Sequence, residues 1–290
     1  MILIVGATGM FGSRILSQTA SRDARVRALV HSSAHAAEVQ SSGVDVVVGD
    51  LDEPDSLTPA FDGVDTVFLV TPMDDRIRAR ELAALGAAEH AGVRRIVKLY
   101  GAVRHRGDPL DALHQASIEA IKASGLSWAL VSPNSVMETS LLSQADAVKQ
   151  AGALFGSAGG GRIGLVAADD VARAAAVVLT ERDEPGVNYE ITGPAAVTMA
   201  EVAAAMSDVL GRQIAYQDMS DDEFRGLLVE NGFPPEAVDM EVILHFAAWR
   251  RGDADIVTDT YRELTGQEPT SLAQWLQLNR DAFEASEPSR

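Results

Sequence analysis

The sequence predicts an α/β fold, a doubly wound parallel sheet followed by a smaller, mostly helical C-terminal domain, and three observations lead there. Short runs of Val, Ile and Leu recur through the first half, separated by segments of roughly 15–30 residues, the rhythm of βαβ units. The runs are nearly continuous rather than alternating, as strands covered by helices on both faces require. Beyond about residue 133 this rhythm gives way to helix-start signals and amphipathic spacing.

Ile2-Leu3-Ile4-Val5 is the expected first strand. Met1 leads into it without the basic segment or long apolar region of a leader peptide, so the expected compartment is the cytoplasm. Glycines at 6, 9 and 12 follow as a strand-to-helix turn. Further strands are expected over 26–30, 44–48, 64–70, 95–99 and 127–131, with the intervening segments as the helical crossovers that parallel neighbours need. The glycine-rich stretch 155–162 reads as a lid or linker. Asp169 and Asp170 precede the apolar run 171–179 and are expected to cap that helix, and 189–192 looks like one more strand. Thr198 with Glu201, and Ser220 with Glu223, are capping-box pairs. Each opens an amphipathic helix, through Val202, Met206 and Val209 in one and Phe224, Leu227 and Leu228 in the other; Leu272, Trp275 and Leu276 repeat the spacing. The expected division is 1–150 and 151–290, with some strands of the second part free to return to the sheet.

A chain of 290 residues suits two domains or one enlarged domain, and 47% apolar with 23% charged residues excludes collagenous and largely disordered proteins. Forty-two acidic against 24 basic residues give a net charge of −18, which repels phosphate backbones and anionic membrane surfaces. Residues 217–290 hold 16 acidic and 6 basic side chains, so the excess acid sits in the C-terminal part while the first half is nearly balanced. No cysteine is present, which excludes disulfides, a thiol nucleophile and thiolate metal sites. No apolar stretch reaches the ~20 residues of a bilayer span. The expected partner is a small-molecule substrate, with neither nucleic acid nor membrane, and the sequence leaves monomer and homodimer open.

Gly6-Ala7-Thr8-Gly9-Met10-Phe11-Gly12 carries the strongest chemistry. A pyrophosphate needs a turn without Cβ obstruction and free N–H groups at a helix N-terminus, and three glycines between a strand and a helix provide both. Gly6, Thr8, Gly9, Met10, Phe11 and Gly12 are therefore candidate dinucleotide contacts in a Rossmann arrangement; the alternative is a glycine-rich turn with no ligand. After the second strand an acid would bind the ribose 2′-OH of NAD, but the chain has His31-Ser32-Ser33. His31 and Ser32 can meet a 2′-phosphate, so NADP (NADPH) is expected over NAD. His31 and His35 lack a nearby carboxylate triad, and no metal site is expected. Asp50 and Leu51, after the third strand, are placed to meet the adenine; Asp50 reads equally well as a helix N-cap. Thr71 and Pro72, and Pro133 and Asn134, end strands where the nicotinamide would lie, and Tyr100 ends a central strand at the crevice of an open sheet. Lys98, inside that strand, is expected to face away. Asp74, Asp75, Asp221 and Asp222 read as helix-start carboxylates. Gly-x-Ser-x-Gly, Walker and His-Glu-x-x-His motifs are missing from the sequence.

GATGMFG at 6–12, GD at 49–50, RRIVKLYGA at 94–102, SGLSWALVSPNSVMET at 124–139, ADDVARAAAVVL at 168–179, YEITGPAAVTMAEVAAAMSDVLGR at 189–212 and LTGQEP at 264–269 resemble the NmrA-like branch of atypical short-chain dehydrogenases/reductases across essentially the whole chain. The resemblance implies an N-terminal Rossmann domain, a small helical domain and a substrate cleft between them. Such proteins include quinone, triphenylmethane-dye and isoflavone-type reductases, and redox sensors that bind NADP without turnover. The Tyr-x-x-x-Lys pair usual in short-chain dehydrogenases is missing: Tyr100, Tyr189, Tyr216 and Tyr261 precede Arg104, Gly193, Ser220 and Thr265 by four. Tyr100, Ser132 and His31 stand where relatives commonly carry Ser, Arg and Arg. His114 falls where relatives often place a His or Lys beside the nicotinamide, which makes it, with Tyr100, the candidate proton donor; the alternative is a local hydrogen bond. The function implied is an NADP(H)-dependent reductase of a small conjugated carbonyl, quinone or imine-like substrate, with an NADP-binding sensor or a redox-neutral cyclase or isomerase as alternatives.

Overall fold

The computed structural model describes residues 1–40, 44–105 and 107–284. The first half alternates strands and helices: β1 (Ile2–Val5), α1 (Met10–Ala20), β2 (Val26–Val30), α2 (Ser33–Gln40), β3 (Asp45–Val48), α3 (Thr58–Phe61), β4 (Thr66–Leu69), α4 (Ile77–His90), β5 (Arg95–Leu99), α5 (Pro109–Ala123) and β6 (Ser127–Pro133). Each expected strand is present within two residues at either end. The order across the sheet is β3-β2-β1-β4-β5-β6, every pair parallel, with Ile4 level with Ala28 on one side and Phe68 on the other. A seventh strand, Val187–Ile191, completes it beside β6.

Period-two alternation explains the continuous apolar runs. Ile4, Ala28, Phe68, Val97 and Val131 point to the face covered by α1, while Leu3, Leu29, Val67, Leu69 and Ile96 point to the face covered by α3 and α4. Both sets are buried, and the few polar strand positions, such as Arg95 and Lys98, are buried with them.

The chain then crosses into a second unit: α6 (Met137–Leu141), α7 (Ala145–Ala151), β7 (Ala153–Gly156) and β8 (Arg162–Ile163). It returns as α8 (Ala168–Glu181), packed on α1, and β9 (Val187–Ile191), parallel to β6. It leaves again through β10 (Val197–Thr198), α9 (Met199–Leu210), β11 (Ala215–Asp218), α10 (Asp221–Glu230), a π-helical turn at Asp239–Ile243, α11 (Leu244–Arg251), α12 (Thr260–Thr265) and α13 (Leu272–Leu278). The second unit has its own core, including Met137, Leu154, Met206, Phe246, Trp249 and Trp275. Two small strand pairs, β7 with β11 and β8 with β10, brace it. Among the described residues no helix is long and apolar enough to cross a membrane.

Two local expectations are corrected. The stretch 155–162 is neither lid nor linker: Ser157 and Ala158 are buried, and its glycines permit close packing. A Cβ on Gly156 would stand 2.1 Å from the Phe246 ring, and one on Gly161 2.2 Å from the Trp249 carbonyl oxygen. Nor do Asp169 and Asp170 cap α8. The Glu138 carboxylate accepts from the Ala168 N–H at 2.9 Å, Asp169 pairs with Arg14, and buried Asp170 accepts from the Thr270 N–H at 2.6 Å. The capping boxes at Thr198 and Ser220 are present, and Ser271 with Gln274 forms a third on α13.

Candidate active site

Because every strand of the sheet runs the same way, the segments that follow β1 to β6 gather at one edge. There the glycine turn has the geometry a pyrophosphate needs. Gly6 has φ +77°, and a Cβ on it would lie 2.3 Å from the Val70 carbonyl oxygen. Gly12 sits inside α1, where a Cβ would be 1.9 Å from the Gly6 oxygen, so α1 can pack this closely only without a side chain. Gly9 is the N-cap and offers no capping side chain; no acid stands in the first turn. The first N–H groups of α1 are thus left to an external acceptor, at the positive end of the helix dipole. Thr8 and Gly9 are exposed there, while Met10 and Phe11 are half-buried against the core.

The other predicted contacts occupy the same edge with different degrees of freedom. His31 is exposed after β2, its ring centroid 4.3 Å from that of His35; the Ser32 hydroxyl lies 2.7 Å from His35 Nδ1. His35 therefore joins the two residues that sequence singled out. No group of three metal-binding side chains exists among the described residues. Asp50 does not cap the 3-10 turn Pro54–Leu57, whose flanking residue is Glu53; its carboxylate accepts from the Asp52 N–H at 2.9 Å and shapes the preceding turn, with Leu51 half-buried beside it. Pro72 is exposed, and the Thr71 hydroxyl donates to Glu81 Oε1 at 3.0 Å. Pro133 is buried. The Asn134 amide is also buried and donates to the Ala254 carbonyl at 3.0 Å, clipping the segment before α12 to the end of β6.

His114 and Tyr100 come together in a buried polar network. Their rings meet edge to face at 5.4 Å. The Tyr100 hydroxyl donates to Asp111 Oδ1, which also accepts from Gln115 Nε2 at 2.6 Å, while Asp111 Oδ2 takes the Gly107 N–H at 3.0 Å. His114 is 3% exposed: its Nδ1 lies 3.2 Å from Lys98 Nζ, and its Nε2 has no partner among the described residues. Lys98 does not face away. It is fully buried, donates to Glu81 Oε1, and stands on the same face as Tyr100, two residues on. Glu81 Oε2 accepts from the Ser117 hydroxyl. Sequence reasoning missed Glu81, Asp111 and Ser117. The legible signals were the spacing of Asp111, His114 and Ser117 along one helix face and the shared parity of Lys98 and Tyr100.

Burial, then the Lys98 charge, pushes His114 down to about 3, with Asp111 opposing; burial likewise lowers Lys98, opposed by Glu81. His114 is accordingly neutral near pH 7. A second imidazole pair joins the loop after β5 to α11: His105 Nδ1 meets Asp108 at 2.8 Å and His105 Nε2 meets His245 Nδ1 at 2.9 Å. Burial, then His105, lowers His245 to about 4. Met240 and Leu244 of the second unit pack on the cluster containing Tyr100.

These two histidines make stability fall with acid. Each has a folded pKa below its unfolded value of 6.5, so the unfolded chain binds more protons between them and stability is lost as pH drops below 6.5. Going from pH 7 to pH 5 should remove about 2 kcal/mol per histidine. Urea unfolding at both pH values measures it, and His114→Gln should remove about half of the difference; equal slopes in variant and wild type would contradict it.

The chain matches the NmrA-like family over residues 1–255. It is 32% identical over 289 residues to an NAD(P)H azoreductase of Xenophilus azovorans, covering 99% of this chain and 100% of that one. Among solved structures, the NADPH complex of the NADPH-dependent quinone oxidoreductase from Escherichia coli superposes with TM-score 0.90 at 26% identity, covering 96% and 99% of the two chains. Triphenylmethane reductase of Citrobacter sp., complexed with NADP(H), gives 0.88 at 25% identity, with 96% and 99% covered.

Proposed function

The chain belongs to the NmrA-like family, and from that premise we propose that it is an NADP(H)-dependent reductase of a small conjugated carbonyl, quinone or imine-like substrate bound between the sheet edge and the helical unit. One observation carries the reading: the edge with an anion cradle at the α1 N-terminus also holds a buried imidazole whose Nε2 has no partner among the described residues. The relatives are named as reductases of azo, quinone and triphenylmethane compounds, which supports a conjugated acceptor.

Bound there, the dinucleotide would supply hydride. The chain's own residues would do the rest. Gly6, Gly9 and Gly12 leave room for the pyrophosphate, and the first-turn N–H groups of α1 hold it. His31, Ser32 and His35 meet the 2′-phosphate, Asp50 and Leu51 flank the adenine, and Thr71, Pro72, Pro133 and Asn134 line the nicotinamide side, Asn134 chiefly by holding the covering segment in place. His114 presents its Nε2–H to the acceptor's heteroatom. Tyr100, whose proton is engaged by Asp111, orients the imidazole edge and closes the pocket wall.

Fluorescence titration with NADPH and NADH, followed by NADPH consumption on a quinone, enone and azo panel, tests this. NADPH should bind more tightly than NADH, and His31→Asp should reverse the order by placing an acid at the 2′-phosphate. His114→Ala should lower kcat at least about tenfold, Tyr100→Phe less. Tight binding without turnover on any acceptor would favour the NADP sensor instead, and failure to bind either nucleotide would overturn the cofactor assignment.

A further inference from the structure

A neutral His114 can give up its Nε2 proton only if its ring is compensated at Nδ1, because an imidazolate is too basic to form on its own near neutral pH. The group beside Nδ1 is Lys98 Nζ, 3.2 Å away. An ammonium has three donors and no acceptor, so across this contact Nδ1 accepts and the single imidazole proton resides on Nε2. Lys98 is itself held from the other side by Glu81, whose carboxylate is fixed by Thr71 and Ser117. Glu81, Lys98 and His114 thus form one buried line running from α4 through β5 to α5, with Nε2 at its unpartnered end among the described residues.

We propose that Lys98 is a positioning residue that both sets the His114 tautomer and refills its ring with a proton during reduction. The proposal rests on the reductase reading. With the dinucleotide bound, hydride supplied to the acceptor carbon would form a C–H bond there and leave the carbonyl π pair as a lone pair on oxygen. That oxygen takes the Nε2 proton of His114. The imidazole Nδ1 takes a proton from Lys98 Nζ, leaving a neutral ring protonated at Nδ1 and a neutral amine still hydrogen-bonded to Glu81. After product leaves, a solvent proton reaches Nε2 as the Nδ1 proton returns to Lys98, which restores both the tautomer and the ammonium. The acceptor is reduced by two electrons, NADPH is oxidised to NADP, and one proton is consumed. Burial favours this direction, since desolvation weakens the hold of Lys98 on its proton, opposed by the Glu81 charge, while the Lys98 charge helps keep His114 from becoming an imidazolium. Asp111, on the helix of His114, acts the other way, and Tyr100 meets the ring at its edge.

Nitrogen NMR on cofactor-free protein labelled at histidine, with His114 assigned by its loss in His114→Gln, reads the tautomer directly. Wild type should show a bare Nδ1, a protonated Nε2 and no titration between pH 5 and 8. The double variant Glu81→Gln/Lys98→Met removes both charges together; in it the His114 signal should become a tautomer mixture and move its titration towards the ordinary imidazole range. Lys98→Arg keeps a cation that cannot be deprotonated, so it should preserve the wild-type tautomer yet lower kcat at least about tenfold with KM changed less than about threefold. A proton on Nδ1 in wild type, an unaltered His114 spectrum in the double variant, or full turnover by Lys98→Arg would each overturn the proposal. Should Lys98→Arg not fold, the double variant decides the turnover arm by the same kcat criterion. A wild type that consumes no NADPH with any acceptor overturns the reductase reading and the refilling step together, and the spectrum still decides the tautomer independently.

Discussion

Gly12→Ala is expected to cost about 3 kcal/mol or more of stability and to abolish dinucleotide binding. The added Cβ would lie 1.9 Å from the Gly6 carbonyl oxygen, 2.6 Å from its carbon and 3.0 Å from the Ala7 Cα. All three are backbone atoms in the turn itself, so no side-chain rotation relieves the overlap and α1 must move off the sheet. Gly9→Ala is the control. Gly9 has φ −74° and ψ 171°, open to any residue, and its Cβ would meet only the Gly6 oxygen at 3.4 Å. That variant should fold with a midpoint close to wild type and still lose affinity, because the methyl stands where the pyrophosphate must approach the N–H groups of α1. Thermal unfolding and NADPH titration of the pair separate the two roles. Equal stability of both variants would refute the packing account of Gly12, and undiminished NADPH affinity of Gly9→Ala would refute the cradle.

Lys98→Met is expected to destabilise the fold by about 3–5 kcal/mol, since it leaves the Glu81 carboxylate buried without its cation. Glu81 is 1% exposed and Lys98 0%, and the remaining partners of Glu81 are the hydroxyls of Thr71 and Ser117. Two hydroxyl donors do not neutralise a charge removed from water. Glu81→Gln/Lys98→Met should recover most of the loss, because an amide beside a thioether asks far less of its surroundings than a lone carboxylate. Urea denaturation of wild type, the single variant and the double variant measures both terms. A single-variant cost below about 1 kcal/mol would show that no buried ion pair is formed here.

How far the sequence could be read follows from the range of the interactions. The sheet, its helices and the glycine cradle were legible because each depends on neighbours in the chain: strand runs by period, the turn by three glycines, the α9 and α10 starts by residues three apart. Where a partner lies far away, the reading fails. The start of α8 carries its own acids, yet Glu138, 30 residues upstream, caps it, leaving Asp169 to Arg14 and Asp170 to Thr270. Gly156 and Gly161 look like part of a lid or linker until Phe246 and Trp249, from α11, are laid against them. At the candidate site the sequence singles out His114 and Tyr100, but not the ion pair behind them: Lys98 reads as a strand lysine that faces away, and Glu81 carries no signal of its own. Each makes sense only when α4, β5 and α5 are stacked. Asn134 is the converse case, a residue placed correctly at a strand end whose amide is turned to Ala254 by a segment over 100 positions later.

The return of α8 and β9 to the first unit also governs how the protein is made. Domains generally fold as they emerge, N-terminal parts first, but here the edge of β6 and the apolar face of α1 receive their cover only from residues up to Ile191. Ribosomes add roughly 5–20 residues per second, so about 60 further residues leave an unpaired strand edge and a bare helix stripe for roughly 3–12 s after β6 is complete. During that interval the nascent chain displays the two surfaces that chaperones hold and that aggregation exploits.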